Sequence, residues 1–178
     1  MSRFRRTVTG STFFFTIVAW RRRPILCDDA IRNALRDAIH AVRARRPFVI
    51  DAWVQLPDHI HCIWTLPPDD TDFSQRWREI KHHVSYVCRD RYESPLISQS
   101  MRRRGDSPVW QRRFWEHQIR DEHDFSRHVD YIHINPVRHG LAGHASLWPY
   151  SSFGRYVREG VYPADWCGPV DMPELCWE

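Results

Sequence analysis

His59-Ile60-His61-Cys62-Ile63-Trp64-Thr65-Leu66 reads as a β-strand with two unlike faces. Side chains alternate along a strand, so Ile60, Cys62, Trp64 and Leu66 share one face, and His59, His61, Ile63 and Thr65 the other. The first set is wholly apolar and belongs in a core. The histidines are thereby placed on the opposite face of the sheet, where a site can be built. Upstream, Thr12 to Ala19 is aromatic and β-branched and makes a first strand, broken by Arg21-Arg22-Arg23-Pro24. Asp28 or Asp29 then caps a helix with Ile31, Leu35, Ala38, Ile39 and Val42 as its apolar stripe, ended by Pro47. Phe48 to Gln55 forms a second strand, joined to the third by Leu56-Pro57-Asp58.

Downstream, Asp72 caps a second helix whose buried stripe is Phe73, Trp77, Ile80, Val84 and Val87. Glu93 to Ser107 loses all period and is expected to be a mobile loop. Val109 to Ile119 reads as a fourth strand. Asp121 opens a third helix, with Phe125, Val129 and Ile132 facing inward, which Asn135-Pro136 and Gly140 end. This order predicts an α+β, ferredoxin-like fold, a four-stranded antiparallel sheet with two crossover helices on its apolar face. The third helix, which carries Tyr131, then approaches the histidine face. One domain is expected over residues 1–160, followed by an irregular C-terminal tail over 161–178.

With 178 residues, 42% of them hydrophobic, the chain can bury one substantial core. Lys81 is the only lysine among 26 Lys and Arg, and the net charge is +4. The arginine fork suits phosphates and base edges, although a GC-rich coding sequence gives the same bias. There is no run of eighteen apolar residues to span a membrane. The stretch Ser11 to Trp20 alternates with threonine, which marks a strand instead of a signal peptide. Five scattered cysteines without a Cys-x-x-Cys pair argue against a disulfide framework or a cysteine zinc cage, and for a cytoplasmic protein.

In Asp130-Tyr131-Ile132-His133-Ile134-Asn135, Tyr131 and Asn135 are four apart and share a helical face. With His59 and His61 they make three neutral metal ligands and one oxygen nucleophile, a minimal kit for cutting a phosphodiester. Two imidazoles suit Mn²⁺, Fe²⁺ or Zn²⁺, and a weak site completed by substrate phosphate fits Mg²⁺ or Mn²⁺. Each piece has an ordinary reading: a chance histidine pair, a packing tyrosine, an asparagine that ends a helix before proline. Their conjunction on one side of the sheet is what gives them weight.

Three ordered segments, Leu56 to Trp64, Trp110 to His117 and Val129 to Gly140, resemble hallmarks of the single-tyrosine HUH transposases. Within that family they are similar to the REP-associated tyrosine transposases, encoded beside short palindromic repeats in bacterial chromosomes. The resemblance runs from about Arg5 to Trp166. It implies a metal-dependent endonuclease and strand transferase that recognises palindromic hairpin DNA and cuts single strands next to it, with Mg²⁺ or Mn²⁺. By the same resemblance Tyr131 is the nucleophile and forms a 5′-phosphotyrosine. His59 and His61 are then metal ligands, Asn135 stands at the third ligand position, and the protein works as a monomer. The alternative is a non-catalytic binder of structured DNA or RNA that keeps the fold.

A hairpin needs phosphate contacts along its stem. Arg5, Arg6, Arg22, Arg102, Arg103, Arg104, Arg112, Arg113 and Arg138 are the candidates. Arg112 and Arg113, adjacent on the expected fourth strand, should point to opposite faces. Glu116, Asp130, His117, His128, His133 and His139 lie near the motifs, and no spacing singles one out. The acidic tail from Tyr162 either lies over a basic groove or straps its tryptophans onto the body.

Overall fold

The computed structural model describes residues 11–94, 96–103 and 107–168. Arg5, Arg6 and Arg104 lie outside the described residues, as does the tail beyond residue 168. β1 (Thr12–Val18), β2 (Val49–Gln55), β3 (His59–Thr65) and β4 (Trp115–Gln118) form one sheet in the order β2-β3-β1-β4. Every neighbouring pair is antiparallel, which with the crossovers is the ferredoxin-like arrangement. The crossover helices are α1 (Asp29–Arg45) and α2 (Phe73–Val87), and two short helices follow, α3 (Arg89–Tyr92) and α4 (Gln99–Arg103). After β4 come α5 (Glu122–Arg138) and α6 (Phe153–Arg158).

The sheet is buried on both sides because its two faces are apolar in different ways. Phe13, Phe15, Ile17, Ile60, Cys62 and Trp64 pack under the stripes of α1 and α2. There Trp64 stacks on Trp77 with ring centroids 4.1 Å apart, and Phe48 covers its other flank at 4.2 Å. Each such ring pair adds about 1 kcal/mol beyond the area it buries. Phe14, Ala52, Val54 and Ile63 face the other way and pack against Phe125, Val129 and Ile132 of α5. The same core takes in Phe153 and Tyr156 of α6 with Tyr162 and Trp166. The tail segment beginning at residue 161 therefore starts as a strap on the body, and Gly168 lies against the Ile134 side chain.

Several boundaries differ from the sequence expectation for identifiable reasons. The fourth strand does not run from Val109 to Ile119. Trp110 pairs with Ala19 and Trp115 with Thr16, so five steps on one side oppose three on the other and the excess loops out. Lys81 Nζ holds that loop by donating to the Gln111 and Arg112 carbonyls. Arg112 and Arg113 thus sit on a bulge, both exposed, and do not alternate across a strand. Val87 is 57% exposed instead of buried, since α2 leaves the sheet before it. The segment 93–107 is not wholly irregular, because α4 forms within it. Asn135-Pro136 does not end α5, which continues to Arg138 with Pro136 inside it. The stop comes at Gly140, whose φ of +66° suits a residue without Cβ.

The α1–β2 junction is tied to α2 by a buried guanidinium. Arg76, 2% exposed, meets both carboxylate oxygens of Asp70 at 3.0 and 2.6 Å. It also donates to the carbonyls of Arg46, Pro47 and Asp72. The Arg76 bonds hold the Asp70 carboxyl below its ordinary range, against a smaller opposing effect of burial. A carboxylate with a lowered folded-state pKa contributes stability that is present above about pH 4 and lost as pH falls through the folded value. Asp70→Asn is expected to cost about 2 kcal/mol at pH 7, by leaving Arg76 without its counter-charge. In urea unfolding the gap to wild type should close below about pH 4. A pH-independent gap would show that the charge is not the cause.

Candidate active site

β3 places His59 and His61 on the α5 face, as its alternation requires, with ring centroids 4.7 Å apart. Both are buried, 2% and 0% exposed. The side chains of β1 complete the floor, with Phe14 stacked beside His61 at 5.5 Å and Thr16 directly opposite it in the register. α5 runs past this pair with Tyr131 and Asn135 on one face at i, i+4 spacing, and its C-capping residue His139 follows four residues further on. Tyr131 meets His61 at 5.1 Å between ring centroids, and His139 meets His59 at 5.1 Å. Asn135 lies between them on that stripe, completely buried.

The two histidines are oriented from behind. His59 Nδ1 is 2.7 Å from Asp58 Oδ1, and the other Asp58 oxygen accepts from Arg22 at 3.1 Å. Arg21 and Arg22 have φ of 54° and 51°, a left-handed turn after β1 that non-glycine residues adopt at a cost of about 1 kcal/mol. The contact it permits is Arg22 with Asp58. Burial works to raise the Asp58 pKa, but the His59 and Arg22 contacts outweigh it and hold the carboxyl down at about 2. Asp58 is thus an anion whose partner nitrogen, His59 Nδ1, carries the hydrogen. His61 Nδ1 is 2.9 Å from Thr16 Oγ1.

Those contacts leave the opposite ring nitrogens turned inward. His59 Nε2, His61 Nε2 and both side-chain polar atoms of Asn135 are buried without a hydrogen-bond partner. A buried polar atom left so costs about 1–3 kcal/mol, and a cation would repay it. Two imidazole nitrogens and an amide oxygen are neutral donors fitting a divalent ion that takes its remaining ligands from phosphate. Burial pushes the His61 pKa well below the ordinary histidine value, with His59, His139, Arg22 and His128 adding like charge. A neutral imidazole is the form that binds metal.

Tyr131 is fully buried, with Phe14 at 6.1 Å and the Arg138 guanidinium carbon 5.6 Å from its ring centre. The other candidates separate clearly. His133 faces the opposite way, its Nε2 2.8 Å from Ser152 Oγ among Phe153, Tyr156 and Tyr162. Asp130 accepts from Tyr162 at 2.5 Å on that same far side. His117 and His128 gather at Asp124, away from His59. Arg103, Arg112, Arg113 and Arg138 are exposed, and Arg102 lies on α4. Sequence reading passed over Asp58 and Thr16 as site residues and did not single out His139 from the other histidines near the motifs. Asp58 had a signal, since it directly precedes His59. It also passed over a cleft of about 930 Å³ lined by Trp20, Arg78, Lys81, Tyr86, Arg89 and Arg112 among others.

The sequence matches the family model described as "Transposase IS200 like" over residues 7–135, a span that holds His59, His61, Tyr131 and Asn135. It is 47% identical over 171 residues to a REP-associated tyrosine transposase of Escherichia coli, covering 96% of this chain and 93% of that one. A relative in Haemophilus influenzae assigned to the same group is 39% identical over 173 residues, covering 97% of both. A solved structure of a REP-associated tyrosine transposase bound to a REP hairpin matches with a TM-score of 0.76 at 46% identity. That match covers 98% of this chain and 96% of the other. No described helix is long and apolar enough to cross a membrane.

The electrostatics of the pair can be read directly. In metal-free protein, the His61 imidazole should stay neutral well below the ordinary histidine range, as followed by nitrogen-15 chemical shifts across a pH titration. A His61 transition centred at the ordinary value of 6.5 would contradict the burial described here.

Proposed function

This chain belongs to the REP-associated tyrosine transposases, a branch of the IS200-like transposases, and from that premise we propose that it cuts and rejoins single-stranded DNA beside a palindromic hairpin. One observation carries the site assignment. Buried, unbonded donor atoms of His59, His61 and Asn135 share the face of the sheet where α5 presents Tyr131.

In this reading Tyr131 is the nucleophile. Its oxygen bonds to phosphorus while the bond from phosphorus to the 3′ oxygen breaks. The products are a 5′-phosphotyrosine and a free 3′-hydroxyl; the phenol proton is given up and the departing oxygen takes one. Attack by a 3′-hydroxyl on the phosphotyrosine reverses the step and rejoins strands. His59 Nε2, His61 Nε2 and Asn135 Oδ1 would hold Mg²⁺ or Mn²⁺, which would supply positive charge to stabilise the phosphate as it is cut. Asp58 and Thr16 fix the two imidazoles so that Nε2 of each offers its lone pair inward. Arg22 acts through Asp58 and, so engaged, is a positioning residue more than a DNA contact.

Tyr131 has no accessible surface, so a phosphate reaches its oxygen only after neighbours shift. Arg138, exposed and stacked over the tyrosine ring, is placed to leave that ring and meet the incoming phosphate. The cleft with Arg78, Lys81, Arg89 and Arg112 offers cations beside the stacking surfaces of Trp20 and Tyr86, a combination suited to a nucleic-acid backbone and its bases. A related protein has been solved with a REP hairpin, which supports a hairpin as the DNA partner here. Acting on chromosomal DNA, the protein would work in the cytoplasm, as a monomer.

Tyr131→Phe is expected to bind hairpin-bearing single strands with wild-type affinity and to form no covalent adduct on denaturing gels. Adduct formation by that variant would remove Tyr131 from the mechanism. His59→Ala and His61→Ala should each lower cleavage by two or more orders of magnitude with Mg²⁺ or Mn²⁺, the folded state being checked by circular dichroism. Asp58→Ala should weaken Mn²⁺ binding about 10- to 100-fold, as loss of an orienting carboxylate does elsewhere. Unchanged affinity in calorimetry would mean that Asp58 serves only Arg22.

A further inference from the structure

β4 and the first turns of α5 bring together a group that the strand-cutting chemistry leaves unused. His117 comes from β4, and Asp124 and His128 from α5, four residues apart on one helical face. One ligand-type atom from each lies within 4.8 Å of the others. His117 Nε2 is 2.8 Å from Asp124 Oδ2, and the two imidazoles stack with ring centroids 4.8 Å apart. The geometry points to a second divalent-cation site in this protein, made by His117, Asp124 and His128, for Zn²⁺ or an ion of similar borderline softness.

The donor set selects that class of ion. Two imidazoles and one carboxylate are the ligands of zinc-type sites, and rotation of the two rings, now stacked 16° from parallel, would turn their lone pairs and the carboxylate onto a common centre at about 2.0–2.2 Å. His128 is held for the task from behind. Its Nδ1 lies 2.8 Å from the main-chain oxygen of Asp124, which accepts only, so Nδ1 carries the hydrogen and Nε2 the lone pair. A backbone carbonyl fixing the tautomer of a ligating histidine is the usual support of such sites. The backbone amide of Arg120 donates to Asp124 Oδ2 at 3.1 Å and steadies the carboxylate in the same way. With neutral imidazoles the set carries one negative charge, which a divalent ion complements. The side chains of His117 and Asp124 are 17% and 19% exposed, so a fourth position opens to solvent.

This site is distinct from the one at His59 and His61. The Phe14 ring packs on His61 at 5.5 Å and on His128 at 4.8 Å, so a phenyl group stands against both. The sheet register agrees, since His117 lies opposite Phe14 whereas His61 lies opposite Thr16. A cation here clamps a short edge strand to the start of the helix that carries Tyr131. It has a structural role that needs no DNA.

The test counts zinc. Protein stripped with chelator and dialysed against Zn²⁺ should hold two ions per chain by elemental analysis. The His59→Ala/His61→Ala double variant should hold one, and adding Asp124→Asn to it should remove that last ion. Zn²⁺ should raise the melting temperature of the double variant by about 5 °C, and should leave the triple variant unmoved. Co²⁺ in the double variant should show the visible bands of a histidine-carboxylate site, which needs no substitution at His117, Asp124 or His128. A double variant that binds no tight ion overturns the proposal. So does an ion that survives both Asp124→Asn and His117→Gln. These counts are taken without DNA, so failure of the phosphotyrosine reading leaves them unaffected, and the reverse holds.

Discussion

β1 and β3 pair in antiparallel register from Thr12↔Thr65 to Val18↔His59, and their alternating side chains enter two separate cores. Most other features of the molecule are set by that alternation. Phe13, Phe15, Ile60 and Trp64 commit one face to α1 and α2, and the second face has to be covered too, because Phe14, Ile63 and Val54 are as apolar as the first. α5 is the cover. A slip of one residue in the β1–β3 register would turn His59 and His61 under α1 and α2 and expose the Trp64 face. The hydrophobic energy that fixes the sheet therefore also fixes the side from which the histidines are approached.

That arrangement has a cost, and part of it falls at the site. Folding buries two imidazole nitrogens and a whole side-chain amide without partners here, although it satisfies some buried polar groups elsewhere in full. Arg76 donates to Asp70 and three carbonyls, and Gln55 Nε2 reaches the Leu26 carbonyl. What sets His59, His61 and Asn135 apart is that their unpaired polar atoms lie on neighbouring side chains beside Tyr131, where a ligand can meet them together. The second His-Asp-His group is partly satisfied without an ion, through His117 Nε2 and His128 Nδ1, and leaves only His128 Nε2 buried without a hydrogen-bond partner.

Much of this was legible in the chain because period-2 and period-3.6 patterns coexist cleanly. The two-faced strand from His59, the capping aspartates at Asp72 and Asp121, and the four-residue spacing of Tyr131 and Asn135 are local signals, and local signals survive in sequence. What could not be read depends on distant partners. Val109 to Ile119 alternates well enough to look like one strand, and only Lys81, on another element, captures the carbonyls that loop it out. Thr16 meets His61, and Arg22 meets Asp58, only when β1 and β3 are side by side. Tyr162 and Trp166, without any period, find their place because α5 and α6 leave a gap of their size.

Pro136 was the most misleading residue, and its actual position explains the geometry of the helix end. Proline lacks the N–H that would pair with the Ile132 carbonyl, so a stop at Asn135 was the natural reading. Instead α5 continues, since its last turn is bonded from beyond. His139 donates to the Asn135 carbonyl at 3.0 Å, Gly140 to Val137 at 3.0 Å, and Leu141 to Pro136 at 2.9 Å. That extra turn keeps Asn135 inside the helix, where its side-chain direction is set by helical phase with Tyr131. It also carries His139 onto His59 and Arg138 over the tyrosine ring. A helix that ended at Asn135 would leave the amide at a fraying terminus, free to turn to solvent. The turn beyond the proline is thus what makes Asn135 a fixed member of the buried set.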